Sequence, residues 1–146
     1  MNDIIQLFAR STTLAIVGAS DNRQSFGNIA FRTLKSKGYQ LYPVNPKYPA
    51  VEGEPCYGSL RDLPAGVESA LFVLPSRVSE QAVVDAQLAG IKQIWFQRGA
   101  DYSDAIRAAQ KAGIETVSGR CILMYAEPVT GFHAFHRFLA KLFGRL

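Results

Sequence analysis

Little in this 146-residue chain is equipped for covalent chemistry. Histidine occurs only as His133 and His136, an i, i+3 pair near the C-terminus that offers two metal ligands and no evident third. The two cysteines, Cys56 and Cys121, fit no zinc spacing, and in a reducing compartment both read as free structural thiols. Asp101, Asp104 and Glu115 fall at helix starts or strand entries, where capping accounts for them. An activated nucleophile, an acid–base pair and a metal set are thus all missing, and no catalytic residue is expected. Long apolar runs are absent too. None approaches the roughly 18 residues that span a bilayer, and Met1 to Arg10 lacks the basic start and small-residue cleavage site of a signal peptide, so a cytoplasmic location is expected. Neither low-complexity tracts nor internal repeats occur, which excludes a disordered chain and a solenoid.

What is present is an ordinary globular composition, 48% hydrophobic and 19% charged, in a chain long enough to bury about two-thirds of its unfolded surface. The formal charge of +4 favours an anionic partner. Lys and Arg are scattered rather than gathered in a basic run, and the aromatics follow no RNA-recognition pattern, so nucleic acid has no support. A phosphorylated small molecule remains, to be argued from the loops.

Leu14 to Val17 is an aliphatic run ending in Gly18 and reads as a strand buried on both faces. A polar loop leads to a helical pattern from Ile29 to Lys37, closed by Gly38. Tyr39 to Val44 is the next strand, and the Pro- and Gly-rich stretch from Asn45 to Pro64 reads as mostly loop. The alternation resumes with Ser69 to Leu74 as strand, Ser79 to Ala89 as helix, Gln93 to Phe96 as strand, Ser103 to Ala112 as helix and Thr116 to Val117 as a short strand. Such alternation predicts an α/β domain, a doubly wound parallel sheet with helices on both faces. Right-handed crossovers then gather all the strand C-termini on one edge, where ligand chemistry belongs. Outside the alternation, Asp3 to Ala9 reads as a short helix covering one end of the sheet. Val129 to Leu146 reads as an amphipathic helix with Phe132, Phe135, Phe138, Leu139, Leu142 and Phe143 on one face. The expected organisation is a domain over residues 1–125 and a helical tail over 126–146. The tail docks onto the domain or across a homodimer, with a membrane surface as the lesser option.

The loop Gly18 to Asn28 lets phosphates approach backbone N–H groups at the positive end of a helix. A plain tight connection accounts for the same residues, since glycine there also serves packing, so the loop alone leaves both readings open. A dinucleotide cofactor calls for G-x-G-x-x-G and an acid about 20 residues later; neither is present. Instead, Val44-Asn45-Pro46-Lys47 puts a cation near that place, which suits a ribose phosphate, as in coenzyme A or NADP.

Gly18-Ala19-Ser20, Val44-Asn45-Pro46-Lys47, Leu74-Pro75, Trp95-Phe96-Gln97-Arg98-Gly99 and Arg120-Cys121 resemble, in order and spacing, the small CoA-binding protein family. That family is related to the N-terminal CoA-binding domain of the succinyl-CoA synthetase α subunit. The resemblance covers about Thr12 to Ile122 and implies a Rossmann-like fold. It also implies that Gly18, Ala19 and Ser20 face the pyrophosphate, with Arg23 and Phe26 near the pantetheine or phosphate path. Val44 and Lys47 take the ribose-phosphate end. Leu74, Pro75 and Val78 wall the adenine slot, and Gln97, Arg98 and Gly99 line the pantetheine; for Arg98, a charge-paired structural role stands beside this one. Cys121, after the last strand, lies where thiol exchange with coenzyme A is conceivable, although a buried small side chain is the preferred reading. The synthetase's second α-subunit domain, with its phosphorylated histidine, has no room in this chain, so its reaction does not transfer. The sequence therefore points to a protein that binds coenzyme A or an acyl-CoA as a carrier, sensor or subunit. An NADP-dependent oxidoreductase and a protein-interaction module with a vestigial cleft are its rivals.

Overall fold

The apolar runs become neighbouring strands, and the three central ones are buried on both sides. In the computed structural model, which describes residues 12–125, five of them form one parallel sheet: β1 (Thr13–Val17), β2 (Gln40–Val44), β5 (Ser69–Phe72), β6 (Gln93–Gln97) and β7 (Glu115–Arg120). Their order is β2-β1-β5-β6-β7. Side chains alternate between two cores, as the pleat requires. Ala15, Val17, Ala70, Phe72, Ile94 and Phe96 enter one core, whereas Leu14, Ile16, Leu71, Trp95 and Val117 enter the other.

Three helices cover the sheet. α1 (Phe26–Ser36) contributes Ala30, Phe31 and Leu34 to the second core. α2 (Ser76–Ala89) contributes Val83 and Ala86 to the first, beside Ala105 and Ala109 of α3 (Ser103–Lys111). Helices therefore lie on both faces, which bears out the doubly wound Rossmann-like α/β expectation. The stretch from Asn45 to Pro64 is indeed largely loop, interrupted by the two-residue antiparallel strands β3 (Ala50–Val51) and β4 (Glu54–Pro55) and a 3-10 turn at Leu60–Asp62.

Element boundaries differ from expectation in one instructive way. α1 and α2 each begin three residues earlier than the apolar periodicity indicates, at Phe26 and Ser76. In their first turns, Phe26-Gly27-Asn28 and Ser76-Arg77-Val78, one apolar side chain stands among small or polar ones and sets up no repeat, so periodicity misses them. The consequence is functional, since Phe26, Arg77 and Val78 are carried on helix starts at the C-terminal edge of the sheet. At the far side, β7 extends to Arg120, with a register shift opposite Phe96 and Gln97 and Gly119 at φ +73°. The short helix expected over Asp3 to Ala9 and the tail over residues 126–146 lie outside the described residues.

Candidate functional site

β1 has β2 on one side and β5 on the other, so chain connections leave it in opposite directions and open a crevice at the strand C-termini. A cleft of about 520 Å³ occupies that place. One wall is Val44, Asn45, Pro46, Lys47 and Tyr48 after β2; the other is Leu74 and Pro75 with the α2 face bearing Arg77, Val78, Gln81, Ala82 and Asp85. Gly18 and Ser20 line it from the loop after β1, and Leu60 is among the lining residues of the 3-10 turn. A second hollow of about 380 Å³ shares Val73 and Leu74 with the first and adds Phe26, Gln97, Arg98, Gly99, Ala100, Tyr102 and Cys121. The two hollows therefore meet at the end of β5.

The loop between β1 and α1 is held by Asn28, which is 1% exposed. Its Oδ1 accepts from the Ser20 N–H at 2.9 Å and the Ser25 hydroxyl at 2.7 Å, while Nδ2 donates to the Ser20 carbonyl at 2.8 Å and Glu52 at 2.9 Å. Glu52 stands between β3 and β4 at φ +51°, its buried carboxylate 2.8 Å from Arg32. Burial alone would raise its pKa, but the Asn28 hydrogen bond and the Arg32 charge outweigh that and hold it below the usual glutamate value. The hairpin thus braces the loop from outside. A second brace comes from Asn45, whose Nδ2 donates to the Ala19 carbonyl at 2.9 Å while its Oδ1 accepts from the Lys47 N–H at 3.0 Å.

With the Ser25 hydroxyl committed to Asn28, α1 has no side-chain cap, and neither has α2, which follows Pro75. At α3 the N-cap, Tyr102, makes no side-chain cap bond either, but Asp101 before it accepts from the Ser103 N–H at 3.0 Å and from its hydroxyl at 2.6 Å. Those bonds, the side-chain one foremost, lower the Asp101 pKa; Asp101 engages the first helical N–H from one residue before the cap position. None of the three N-cap residues makes a side-chain cap bond, and of these helices α2 starts in the wall of the first cleft while α1 starts at the second hollow.

Of the thirteen residues singled out from sequence, Gly18, Ser20, Val44, Lys47, Leu74, Pro75 and Val78 line the first cleft. Phe26, Gln97, Arg98 and Gly99 line the second, with Leu74 common to both. Ala19 and Arg23 line neither. Ala19 is fully buried, and Arg23 has a side chain 73% exposed with its Nε 3.6 Å from Glu52. Gly18 sits at φ +119°, and a Cβ there would stand 2.0 Å from the Val73 carbonyl oxygen. The close approach of β1 to β5 therefore requires glycine, which makes its packing role explicit. Gln97 is 6% exposed and its Oε1 accepts from the Ile122 N–H at 3.1 Å, tying the end of β6 to the segment after β7.

Sequence reasoning missed Asn28, Tyr102, Arg77, Gln81 and Asp85. Tyr102 is 5% exposed; its hydroxyl accepts from the Leu74 N–H at 2.8 Å and donates to the Leu74 carbonyl at 2.7 Å. Burial pushes its phenol pKa up, and the bond from Leu74 offsets part of that rise. No local pattern announces a tyrosine that clamps a backbone 28 residues away. The three α2 residues had a signal, an i, i+4, i+8 spacing on one helix face, but it resembles a solvated stripe until the cleft is seen.

Neither lysine nor arginine at the first cleft, Lys47 or Arg77, takes part in an ion pair among the described residues. No group of three or more His, Cys, Asp or Glu that would hold a metal occurs among the described residues, and His133 and His136 lie outside them. Cys56 and Cys121 are both free and partly buried; burial raises the Cys56 thiol pKa, and its Sγ lies 3.5 Å from the Asn45 carbonyl oxygen. No described helix is long and apolar enough to cross a membrane.

Comparison with known proteins adds a family and several folds. Residues 12–127 match the family model described as CoA binding domain. Acetate–CoA ligase [ADP-forming] I of Archaeoglobus fulgidus is 27% identical over 121 residues, which are 76% of this chain and 18% of the ligase. This chain therefore spans less than a fifth of that relative's length. Among solved structures, a hypothetical protein from Pyrococcus horikoshii superposes with a TM-score of 0.78 at 34% identity, covering 84% of this chain and 86% of that one. The dinucleotide-forming acetyl-coenzyme A synthetase 1 of Ca. Korarchaeum cryptofilum, solved with phosphate and ADP, gives 0.69 at 28% identity over 80% of this chain and 27% of that one.

Proposed function

The chain belongs to the CoA binding domain family, and from that premise we propose that it binds coenzyme A or an acyl-CoA as a carrier, sensor or subunit without catalysing a reaction itself. One observation carries the reading. The first cleft lies at the point where strand connections diverge, with the uncapped start of α2 in its wall, that of α1 in the adjoining hollow, and Lys47 and Arg77 on opposite walls in no ion pair among the described residues. A nucleotide needs that combination, in which flat apolar surface takes the base and positive ends and cations take the phosphates.

In the proposed arrangement, Val44 and Pro46 face Leu74, Pro75 and Val78 across the adenine slot, and the ribose phosphate lies toward Lys47. The diphosphate sits at Gly18 and Ser20, in a loop whose shape the Asn28 hydrogen bonds fix before any ligand arrives, the Ser20 and Gly18 N–H groups being spent on Asn28 and Val44. Such preorganisation lowers the ordering cost of binding. Pantetheine passes Leu74 into the second hollow, toward Phe26, Gln97, Arg98 and Gly99. Among the described residues lining the two clefts, none forms an acid–base pair or a charge-activated nucleophile. This favours a binding role and leaves group transfer, as named for the ligases, to domains of the kind that those longer proteins carry beyond the shared segment.

Calorimetric titration of the full chain with CoA, dephospho-CoA and NADP tests the reading. The expected order is CoA first, and native mass spectrometry of freshly purified protein should show a retained CoA species. Tighter binding of NADP than of either CoA form overturns the ligand assignment; binding of none of the three supports an interaction module with a vestigial cleft.

A further inference from the structure

A carboxylate is out of place in a cleft meant for a polyanion, yet Asp85 lines this one. It is partly buried, on the α2 face that bears Val78 and Ala82, and Gln81 Nε2 donates to its Oδ1 at 3.3 Å. Among the described residues it takes part in no ion pair, so charge balance does not explain it. Val78, Ala82 and Asp85 lie at i, i+4 and i+7 on this helix and so share one face, about 10 Å along the axis from first to last. The cation stands at the positive end of α2 and the carboxylate two turns along. A base held against Val78 in the slot proposed above therefore presents its edge along this wall to Gln81 and Asp85.

The geometry points to Asp85, positioned by Gln81, as the residue that selects the base, by accepting a hydrogen bond from an exocyclic amino group such as that of adenine. The inference rests on the coenzyme A reading above and names which edge of the nucleotide α2 recognises. An ionised carboxylate only accepts, so it favours a base edge that donates and leaves a carbonyl edge, as in hypoxanthine, facing a second acceptor. The Gln81 bond occupies part of one oxygen's capacity and leaves the other free to accept. Discrimination of this kind comes as much from the unpaired acceptor left by a wrong base as from the bond made to the right one.

The test compares CoA with 1,N6-etheno-CoA, in which the amino group is tied into a third ring and no longer donates. Binding to the full chain is followed by calorimetry. The unmodified protein should prefer CoA by about tenfold, the scale of one hydrogen bond to a charged group. Asp85→Ala should remove the preference by weakening CoA while leaving etheno-CoA nearly unchanged. Asp85→Asn, which keeps a carbonyl acceptor, should restore part of it. Glu80→Ala, a change at an exposed neighbour off the cleft lining, should alter neither affinity. Equal affinities of the unmodified protein for the two ligands, or an equal loss of both in Asp85→Ala, overturns the role of Asp85. Failure of the unmodified protein to bind CoA at all refutes the underlying ligand reading instead, so the two failures are distinguishable.

Discussion

Tyr102→Phe deletes one oxygen atom and changes nothing else in the covalent plan, which makes it a sharp probe of how the slot is held. The ring packs against Phe96 at 5.2 Å between centroids and keeps that contact as phenylalanine. What is lost is the pair of bonds to Leu74, at 2.8 Å from its N–H and 2.7 Å to its carbonyl. Leu74 is only partly buried, so water can reach some of what the hydroxyl leaves, and the cost belongs at the low end for two unsatisfied groups, about 1–2 kcal/mol. For a chain of this length that corresponds to a fall in Tm of about 3–6 °C by calorimetry or circular dichroism. Because Leu74 lines both hollows, CoA affinity should fall as well, by about threefold to tenfold. The two effects should appear together. A variant with unchanged Tm and unchanged CoA affinity would refute the claim that the hydroxyl positions the Leu74-Pro75 turn.

Lys47→Ala should weaken CoA by about fivefold, the scale of ~1 kcal/mol for a partly exposed charge-assisted contact, while scarcely affecting dephospho-CoA. Equal weakening of both ligands in titration assigns the lysine some other role. Glu52 predicts an acid limb of stability: its folded pKa lies below the unfolded reference of 4.5, so its stabilisation is complete above that value and is lost as pH falls through the folded pKa. Urea unfolding between pH 6 and pH 3 should show this loss, and Glu52→Gln should flatten that limb while lowering stability at neutral pH. A limb of equal steepness in the variant removes Glu52 as its source.

The fold was legible because its signals are local. Ile16, Leu71 and Trp95 sit in uninterrupted apolar runs that only a doubly covered strand explains, and Gly38, Gly90 and Gly113 end the intervening helices. Much of the site outline was legible too, since Lys47 and Leu74-Pro75 follow strands at the edge where parallel sheets bind ligands. Its construction was not. Asn28 reads as an ordinary helix residue until Ser20 and Glu52 arrive at its amide from 8 and 24 positions away. Arg23, expected along the ligand path, turns to Glu52 because the β3–β4 hairpin brings that acid beside it, a pairing that sequence distance conceals. Arg77 escaped because its helix begins three residues before its apolar pattern does.

The strand order has a consequence for the protein's manufacture on the ribosome. β2 follows β1 closely in the chain, but the other neighbour of β1, β5, follows about 55 positions later, as the Ile16–Leu71 register shows. At translation rates of 5–20 residues per second, β1 waits roughly 3–11 s with that hydrogen-bonding edge open. During the interval a buried-type strand, Leu14 to Val17, stands as a template for any passing extended chain. Synonymous codons that slow elongation between Asn45 and Glu68 should lengthen that exposure and lower the yield of native protein, although the sequence, the folded structure and its equilibrium stability are all unchanged.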